Sequence, residues 1–238
     1  MKAFILAAGI GTRLKPLTDH QPKVMFKIGN KPILEHLINL CRHHQIKDII
    51  LSTHYLAGQI KDYFKDGKQI GVHINYSHET IRLGGAGAMK LAEPLLKDDD
   101  FIVLNGDVLT NVNLTKMISF HQHKQGLAAF LVHNTDHPLD SDLVEFDSTG
   151  LIKRFFRPQP CDKFKPISKT GTHIFKPSVL NFIPPQQEFS LEKQLIPLLL
   201  TADQPLYAYF SDCYSKDMGT LERLAQVRKD YQDGKTSF

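Results

Sequence analysis

Three stretches of this chain carry residue types suited to polyphosphate chemistry. The first, Leu6-Ala7-Ala8-Gly9-Ile10-Gly11-Thr12-Arg13-Leu14, directly follows an apolar run of strand length. Small residues at the end of a strand let a ligand approach the backbone, and clustered N–H groups there cradle phosphates. Arg13, Lys15 and Lys23 fall within eleven residues, on a segment stiffened by Pro16 and Pro22. Cations on such a loop would neutralise phosphate charge. No Gly-Lys-Ser/Thr follows as a Walker A loop requires, and Leu14 stands where the dinucleotide fingerprint has its third glycine. Alone, the loop also reads as a tight strand-to-helix turn with solvated charges beside it. The second stretch, Leu83-Gly84-Gly85-Ala86-Gly87-Ala88-Met89, opens a helix with backbone bare enough for a planar base to lie against, or serves as a flexible linker. The third, Leu104-Asn105-Gly106-Asp107, ends an apolar strand in a carboxylate. Mg²⁺ is typically held by one or two carboxylates plus substrate phosphates, so a second acid would come from elsewhere in the chain.

Strand-length apolar runs and helix-period segments alternate around these stretches. Strands are expected at Ala3 to Ala7, Ile49 to Ser52, Val72 to Tyr76 and Phe101 to Leu104. Helices are expected after Pro32, from Leu56 to Lys65 and from Ala86 to Leu96. Repeated strand–helix alternation implies a mostly parallel sheet covered on both faces, and in such a sheet ligands gather at the carboxyl ends of strands. In the helix after Pro32, residues Ile33, Leu34, Leu37, Ile38, Leu40 and Cys41 share one stripe, with Glu35, Asn39 and Arg42 opposite; Pro32 would occupy the first turn. Past residue 126, strand-like segments at Leu127 to Val132, Leu143 to Phe146 and Ile152 to Phe156 are separated by turn signals, which suits antiparallel pairing. A proline-containing loop from Arg157 to Lys169 precedes a strand at Thr172 to Phe175. Helices near Pro177 to Phe182 and Leu191 to Leu200, a strand at Leu206 to Phe210 and a helix from Thr220 to about Asp230 follow, with residues 234–238 expected to fray.

The ordered series Gly9-x-Gly11-Thr12-Arg13-Leu14, Pro16-Leu17-Thr18 and Pro22-Lys23 resembles the sugar-1-phosphate nucleotidylyltransferase family. The resemblance extends from Lys2 to about Asp230 and is nearest to guanylyltransferases acting on mannose 1-phosphate or D-glycero-D-manno-heptose 1-phosphate. Thr170-Gly171 is also similar to uridylyltransferases acting on N-acetylmuramate 1-phosphate. The resemblance implies an α/β, Rossmann-like mixed and mostly parallel sheet with helices on both faces, plus a small antiparallel sugar-binding lobe. It implies one domain over 1–238, with 1–125 serving the nucleotide and 126–238 serving the sugar and closing the fold. The implied nucleotide-binding residues are Leu6, Ala7, Ala8, Gly9, Gly11, Thr12, Gly84 and Gly85. Arg13, Lys23 and Asp107 are the implied catalytic residues, with Arg13 on the β- and γ-phosphates and Lys23 near the α-phosphate. Lys216-Asp217-Met218-Gly219-Thr220 is similar to the late D-x-G-T segment, whose Asp is the second Mg²⁺ ligand, so Asp107 and Asp217 become the implied metal pair. On its own, Asp217 reads as a turn residue before the N-cap Thr220.

The sugar side departs from the family pattern. Phe156-Arg157-Pro158 stands for E-K-P, and Lys169 occupies the place of an asparagine. Arg157, Gly171 and Glu192 are the implied sugar-phosphate residues; Ser190, two before Glu192, also reads as a plain helix cap. The expected partners are a nucleoside triphosphate and a sugar 1-phosphate, in a monomer or homodimer. The length predicts no C-terminal β-helix of the kind many relatives carry, and hence no acetyltransferase activity. A noncatalytic nucleotide-sugar sensor is the rival reading, opposed by the retention of Arg13, Lys23, Asp107 and Asp217.

Composition narrows the remaining classes. With 42% apolar and 23% charged residues the chain is an ordinary globular sequence, which excludes a fibre or a disordered tail. The net charge of +4 is dispersed, so no nucleic-acid partner is expected, and the apolar N-terminal run is too short to span a membrane. Three widely spaced cysteines, Cys41, Cys161 and Cys213, are expected as reduced thiols in a cytoplasmic protein. His43-His44 and the pair His121 and His123 are expected on solvated helix faces.

Overall fold

The computed structural model describes residues 1–159 and 162–236; Cys161 lies outside them. Four strands, β1 (Lys2–Leu6), β4 (Asp48–Thr53), β5 (His73–His78) and β6 (Phe101–Asn105), run parallel in the order β6-β1-β4-β5. Before β4, the two-residue strands β2 (Lys27–Ile28) and β3 (Lys31–Pro32) pair and lead into α1 (Ile33–His43). The helix α2 (Ala57–Phe64) joins β4 to β5, and α3 (Gly84–Leu91) with α4 (Glu93–Leu96) joins β5 to β6. After β6 come β7 (Val108–Thr110), α5 (Leu114–Lys124), β8 (Ala128–Asn134), β9 (Leu143–Phe146), β10 (Ile152–Phe156) and β11 (Ile167–Phe175). The chain closes with α6 (Ile196–Thr201), β12 (Leu206–Phe210), β13 (Ser215–Asp217) and α7 (Leu221–Gln232).

The antiparallel strands are continuous with the parallel ones. Residues 172–175 of β11 run antiparallel to β6, while β11 also pairs with β8 and, at Ser168, with β9. The β9–β10 hairpin turns at Asp147 to Gly150 as the turn signals predicted, and β12 adds to β8 in parallel. One nine-stranded sheet results. Its apolar residues alternate between two cores, because successive strand side chains point to opposite faces. Ala3, Ile5, Ile49, Leu51, Ile102 and Leu104 pack with α1, α2, α5 and α7, whereas Phe4, Ile50, Phe101 and Val103 pack with α3, α4 and α6.

Local chemistry accounts for the departures from expectation. Pro32 is extended (φ −56°, ψ 148°) and caps α1 one position ahead of the first turn, since it is still engaged in the β2–β3 ladder. Glu35 is buried rather than opposite the apolar stripe: Lys31 pairs with it at 3.0 Å and the Tyr63 hydroxyl donates to it at 2.9 Å. Burial works against its charge, but these two donors bring the carboxyl below its ordinary value. The single helix expected over 86–96 is two helices, because Pro94 has no N–H to continue α3. Pro197 has the same effect on the helix expected at 191–200. Residues Leu191–Leu195 form a π-helical turn in which the Leu195 N–H donates to the Ser190 carbonyl at 3.0 Å. His121 is buried, 3.3 Å from Asp100, and burial lowers its pKa. Lys235 folds back onto Asp230 and Thr236 is buried, so the described part of the C-terminus is docked. Cys41 is a free, buried thiol pushed up to about 12 by burial, and Cys213 is also free. No helix among the described residues is long and apolar enough to cross a membrane.

The tightest backbone approach lies just after β6, where the Gly106 N–H donates to the Leu6 carbonyl at 3.0 Å. A Cβ on Gly106 would stand 2.5 Å from that carbonyl oxygen, which is main chain and has nowhere to yield. Gly106→Ala is therefore expected to destabilise the protein by about 1–3 kcal/mol, the usual cost of overpacking, as measured by urea unfolding. A change below about 0.5 kcal/mol would show that the two strand ends are not locked together.

Candidate active site

An open cavity of about 370 Å³ lies at the carboxyl ends of β6, β1, β4 and β5, a size suited to a small-molecule ligand. Its floor is the loop after β1. Leu6, Ala8, Gly9, Gly11, Thr12 and Arg13 line it, together with Ile10. Gly11 takes φ +70°, and a Cβ there would press on Thr18 at 3.0 Å and Lys23 at 3.2 Å. The Thr18 hydroxyl donates to the Gly11 carbonyl at 3.1 Å, fastening the loop to the Pro16-Leu17-Thr18 segment. Ala7 does not reach the cavity: it is buried, with its N–H spent on the Ser52 carbonyl at 3.0 Å.

Lys23 and Asp107 meet at the wall nearest β6, where the Lys23 Nζ pairs with the Asp107 Oδ2. Asp217 is brought close by main chain. The β7–β13 ladder sets Asp217 opposite Val108, and the Met218 N–H donates to the Asp107 carbonyl at 2.9 Å. The Asp217 carboxylate accepts from the Gly219 N–H at 2.8 Å and from Arg223 at 2.7 Å, so it stands behind the cavity wall, which Gly219 forms. A Cβ on Gly219 would lie 2.7 Å from Asp217 Oδ1 and 2.8 Å from Arg13 Nη2. The missing side chain thus lets Arg13 and Asp217 approach the same point from two sides. Thr220 caps α7 through the Arg223 N–H, as expected. Among the described residues no group of three or more His, Cys, Asp and Glu gathers at metal-binding distances.

The opposite end of the cavity is formed by Ser52, His54, Glu79, Arg82, Gly84 and Gly85. Gly84 adopts φ +70°, and a Cβ would meet the Phe189 carbonyl at 2.9 Å. That carbonyl accepts the N–H groups of Ala86 and Gly87, both at 3.0 Å, which sets the start of α3. Ser52, His54, Glu79 and Asn105 escaped the sequence reading. Each lies in the last two residues of a parallel strand or directly after it, so applying the strand-end rule to every strand, not to β1 and β6 alone, finds them.

Glu192 sits on the π-helical turn and borders both this cavity and a second of about 410 Å³, lined by Asp142, Arg157, Ser190, Glu192 and Lys193. Ser190 also caps this turn, accepting the Lys193 N–H at 3.2 Å. Arg157 belongs to the second cavity only and pairs with Asp142 at 3.3 Å. Gly171 lines neither; it lies against Asn105 and Val108, where a Cβ would approach both at 2.8 Å. Lys169 donates to Glu192 at 3.0 Å and lies 3.3 Å from Nε2 of the fully buried His173. Burial opposes the Glu192 charge, yet Lys169 brings its carboxyl below the ordinary value; burial and then the Lys169 charge hold His173 well below its own.

The model of the family described as Nucleotidyl transferase matches residues 2–234. The chain belongs to this family. It is 36% identical over 235 residues to a UTP–glucose-1-phosphate uridylyltransferase of Synechocystis, covering 93% of this chain and 61% of that protein. It is 30% identical over 236 residues to a mannose-1-phosphate guanylyltransferase of Mycobacterium tuberculosis, covering 98% and 65%. The chain thus spans about three fifths of the length of the curated relatives it matches. Among solved structures, HddC from Yersinia pseudotuberculosis superposes with a TM-score of 0.82 at 24% identity over 97% of this chain and 99% of its own. A UDP-glucose pyrophosphorylase of Acinetobacter baumannii does so with 0.82 at 21%, over 97% and 92%. Both share the nucleotidyl transferase fold seen here.

The strand that carries Asp217 is anchored by one buried carboxylate of α7. Asp230 accepts from Tyr214 at 3.1 Å, Lys216 at 3.2 Å, Gln226 at 2.9 Å and Lys235 at 3.1 Å. Burial opposes its charge, but these donors lower its carboxyl from 3.8 to about 2. A depressed carboxyl pKa contributes stability that is present above the unfolded value and lost as pH falls through the folded one. Asp230→Asn is expected to cost about 2 kcal/mol at pH 7, the scale of losing an ionised acceptor. The gap to the parent protein should close between pH 4 and 2 in thermal unfolding. A gap that stays constant over that range would rule out the ionised form as the anchor.

Proposed function

We propose that this chain transfers a nucleotidyl group from a nucleoside triphosphate to a sugar 1-phosphate, with GTP and a manno-configured sugar phosphate as substrates. The observation that carries the reading is the convergence of Arg13, Lys23 and the glycine loop on one cavity at the strand ends, in a chain of the nucleotidyl transferase family. An oxygen of the sugar phosphate attacks the α-phosphorus of the triphosphate. One P–O bond forms, the bond from the α-phosphorus to the bridging oxygen of the β-phosphate breaks, and pyrophosphate leaves. The nucleophile is already an anion, so no side chain need take a proton.

The chain's work is alignment and charge neutralisation. Loop N–H groups and Arg13 would hold the β- and γ-phosphates, and Lys23 would leave Asp107 to meet the α-phosphate. Glu192, fixed as an acceptor by Lys169, would take sugar hydroxyls where the two cavities adjoin, with Arg157 on the far side. Gly171 would leave room by keeping β11 close to Asn105. In this reading residues 1–125 supply the nucleotide side and 126–238 the sugar side. The free thiols of Cys41 and Cys213 favour a cytoplasmic setting.

Mg²⁺ suits the donor set. Asp107 and Asp217 are hard oxygen donors on adjoining main chain, linked by the Met218-to-Asp107 hydrogen bond, and each now pairs with a cation that phosphate could draw away. These two carboxylates would hold the ion, which when bound would offset phosphate charge. Asp107→Asn and Asp217→Asn are each expected to lower kcat by at least ~100-fold. Near-normal turnover by either variant in excess EDTA would sink the metal assignment.

A second substrate reading, UTP with glucose 1-phosphate, is supported by the 36% identity to the Synechocystis uridylyltransferase. Pyrophosphate release with GTP, UTP, CTP and dTTP against a panel of sugar 1-phosphates separates the two. We expect the highest kcat/KM for GTP with mannose or heptose 1-phosphate. No turnover with any pair would favour a sensor.

A further inference from the structure

A lysine beside a candidate polyphosphate site would be expected to bind phosphate, yet Lys169 lines neither cavity and its side chain is only 5% exposed. A bulge in β11 puts it there. Lys169 faces Val132 of β8 and His173 faces Phe130, so β11 carries two extra residues between these pairs. In an unbroken strand, residues four apart stand about 13 Å from each other. Here the strand folds that length up, with Gly171 pressed against Asn105 and Val108, and the Lys169 Nζ comes within 3.3 Å of the His173 Nε2. Bulges of this kind re-aim a side chain.

An ammonium has three donors and no acceptor, and here all three are spent. Lys169 donates to the Glu192 Oε1 at 3.0 Å, to the Thr170 carbonyl at 3.1 Å and to the His173 Nε2 at 3.3 Å. The last contact requires a neutral imidazole, which full burial and then the adjoining ammonium favour. No donor remains for a phosphate or a sugar. Among the described residues Glu192 alone borders both cavities, and its carboxylate keeps lone pairs free for a hydroxyl. A sugar phosphate reaching towards Lys23 from the second cavity would pass this carboxylate. Arg157 and Lys193 also line that cavity, and would draw an unheld Glu192 across the sugar's path. We infer that Lys169 is a positioning residue for the acceptor, which touches no substrate and sets affinity for the sugar 1-phosphate by holding Glu192 where the cavities adjoin; this rests on the nucleotidyl-transfer reading.

The test is steady-state pyrophosphate release by the full chain, Lys169→Met, Glu192→Gln and the double variant. The substrates are GTP, UTP, CTP or dTTP with mannose, heptose or glucose 1-phosphate, in the pair the parent turns over fastest. Lys169→Met should raise KM for the sugar 1-phosphate at least ~10-fold, the scale of one hydrogen bond to a charged group, while KM for the triphosphate stays within about threefold. Adding Lys169→Met to Glu192→Gln should change the sugar KM by less than about threefold, because a residue that acts through another then has nothing to act through. A folded Lys169→Met with the parent's sugar KM, a rise of both KM values together, or a double variant markedly worse than Glu192→Gln would overturn the assignment and leave nucleotidyl transfer intact. Should Lys169→Met fail to fold, the double variant, which leaves no unpaired buried charge, decides by the same comparison. If that also fails to fold, Lys169 serves the fold alone and the assignment falls. No turnover by the parent with any of these pairs overturns both readings.

Discussion

The junction of β1 and β6 is the constraint on which the rest of this structure depends. Gly106 closes onto the Leu6 carbonyl with no side chain between, so the glycine loop after β1 and the acid after β6 are held at neighbouring strand ends. From there the geometry propagates through main chain. Asp107 accepts the Met218 N–H, the β7–β13 ladder follows, and Asp217 and Gly219 arrive behind Arg13. On the other edge of β6, β11 extends the same sheet into the half of the chain that supplies Glu192. Residues more than a hundred positions apart thus border one cavity along the edge of one continuous sheet.

Several charges in and beside the two cavities are paired with one another. Lys23 holds Asp107, Arg223 holds Asp217, Lys169 holds Glu192 and Arg157 holds Asp142. Partly exposed ion pairs contribute little to stability, so their effect is one of position: each keeps a long side chain ordered where an anionic ligand would compete for it. At these pairs an entering polyanion would exchange one partner for another. The Lys169–Glu192 pair differs in that its lysine is largely buried, which makes the carboxylate a permanent acceptor at the border of the two cavities.

Much of this was legible in the sequence because it rests on local rules. The alternation of strand and helix, the hairpin at Asp147 to Gly150, the Thr220 cap and the loop after β1 each follow from periodicity or turn chemistry confined to a few residues. The failures have a common physical origin in longer-range effects. Glu35 and His121 are polar residues buried by tertiary partners that their helical periodicity does not reveal. The Pro94 and Pro197 breaks are local in cause, but apolar periodicity continues through both and masks them. Helix α5, capped by Asn113, has a weak apolar stripe, so His121 and His123 marked a helix there without its bounds; β7 and β13 are three-residue strands that exist only because each finds the other. Ser52 and Glu79 lacked any motif of their own, and became visible once β4 and β5 were seen to end at the same edge as β1.

That last point separates what the fold holds fixed from what it leaves variable. The proposed phosphate contacts lie at the ends of β1 and β6, which the Gly106-to-Leu6 backbone contact holds together. The ends of β4 and β5 contribute side chains to the same cavity without sharing that contact, and the proposed sugar side lies on a π-helical turn and a bulged segment of β11. Mutation at Glu79, Arg157, Lys169 or Glu192 changes a donor or an acceptor while leaving the β1–β6 junction intact. Under the proposed function such a chain would keep one reaction while its base and sugar changed independently, and its relatives' names divide between uridylyl and guanylyl transfer at 36% and 30% identity. The proposed function therefore assigns substrate identity to individual side chains at the cavity's two ends rather than to overall likeness between sequences.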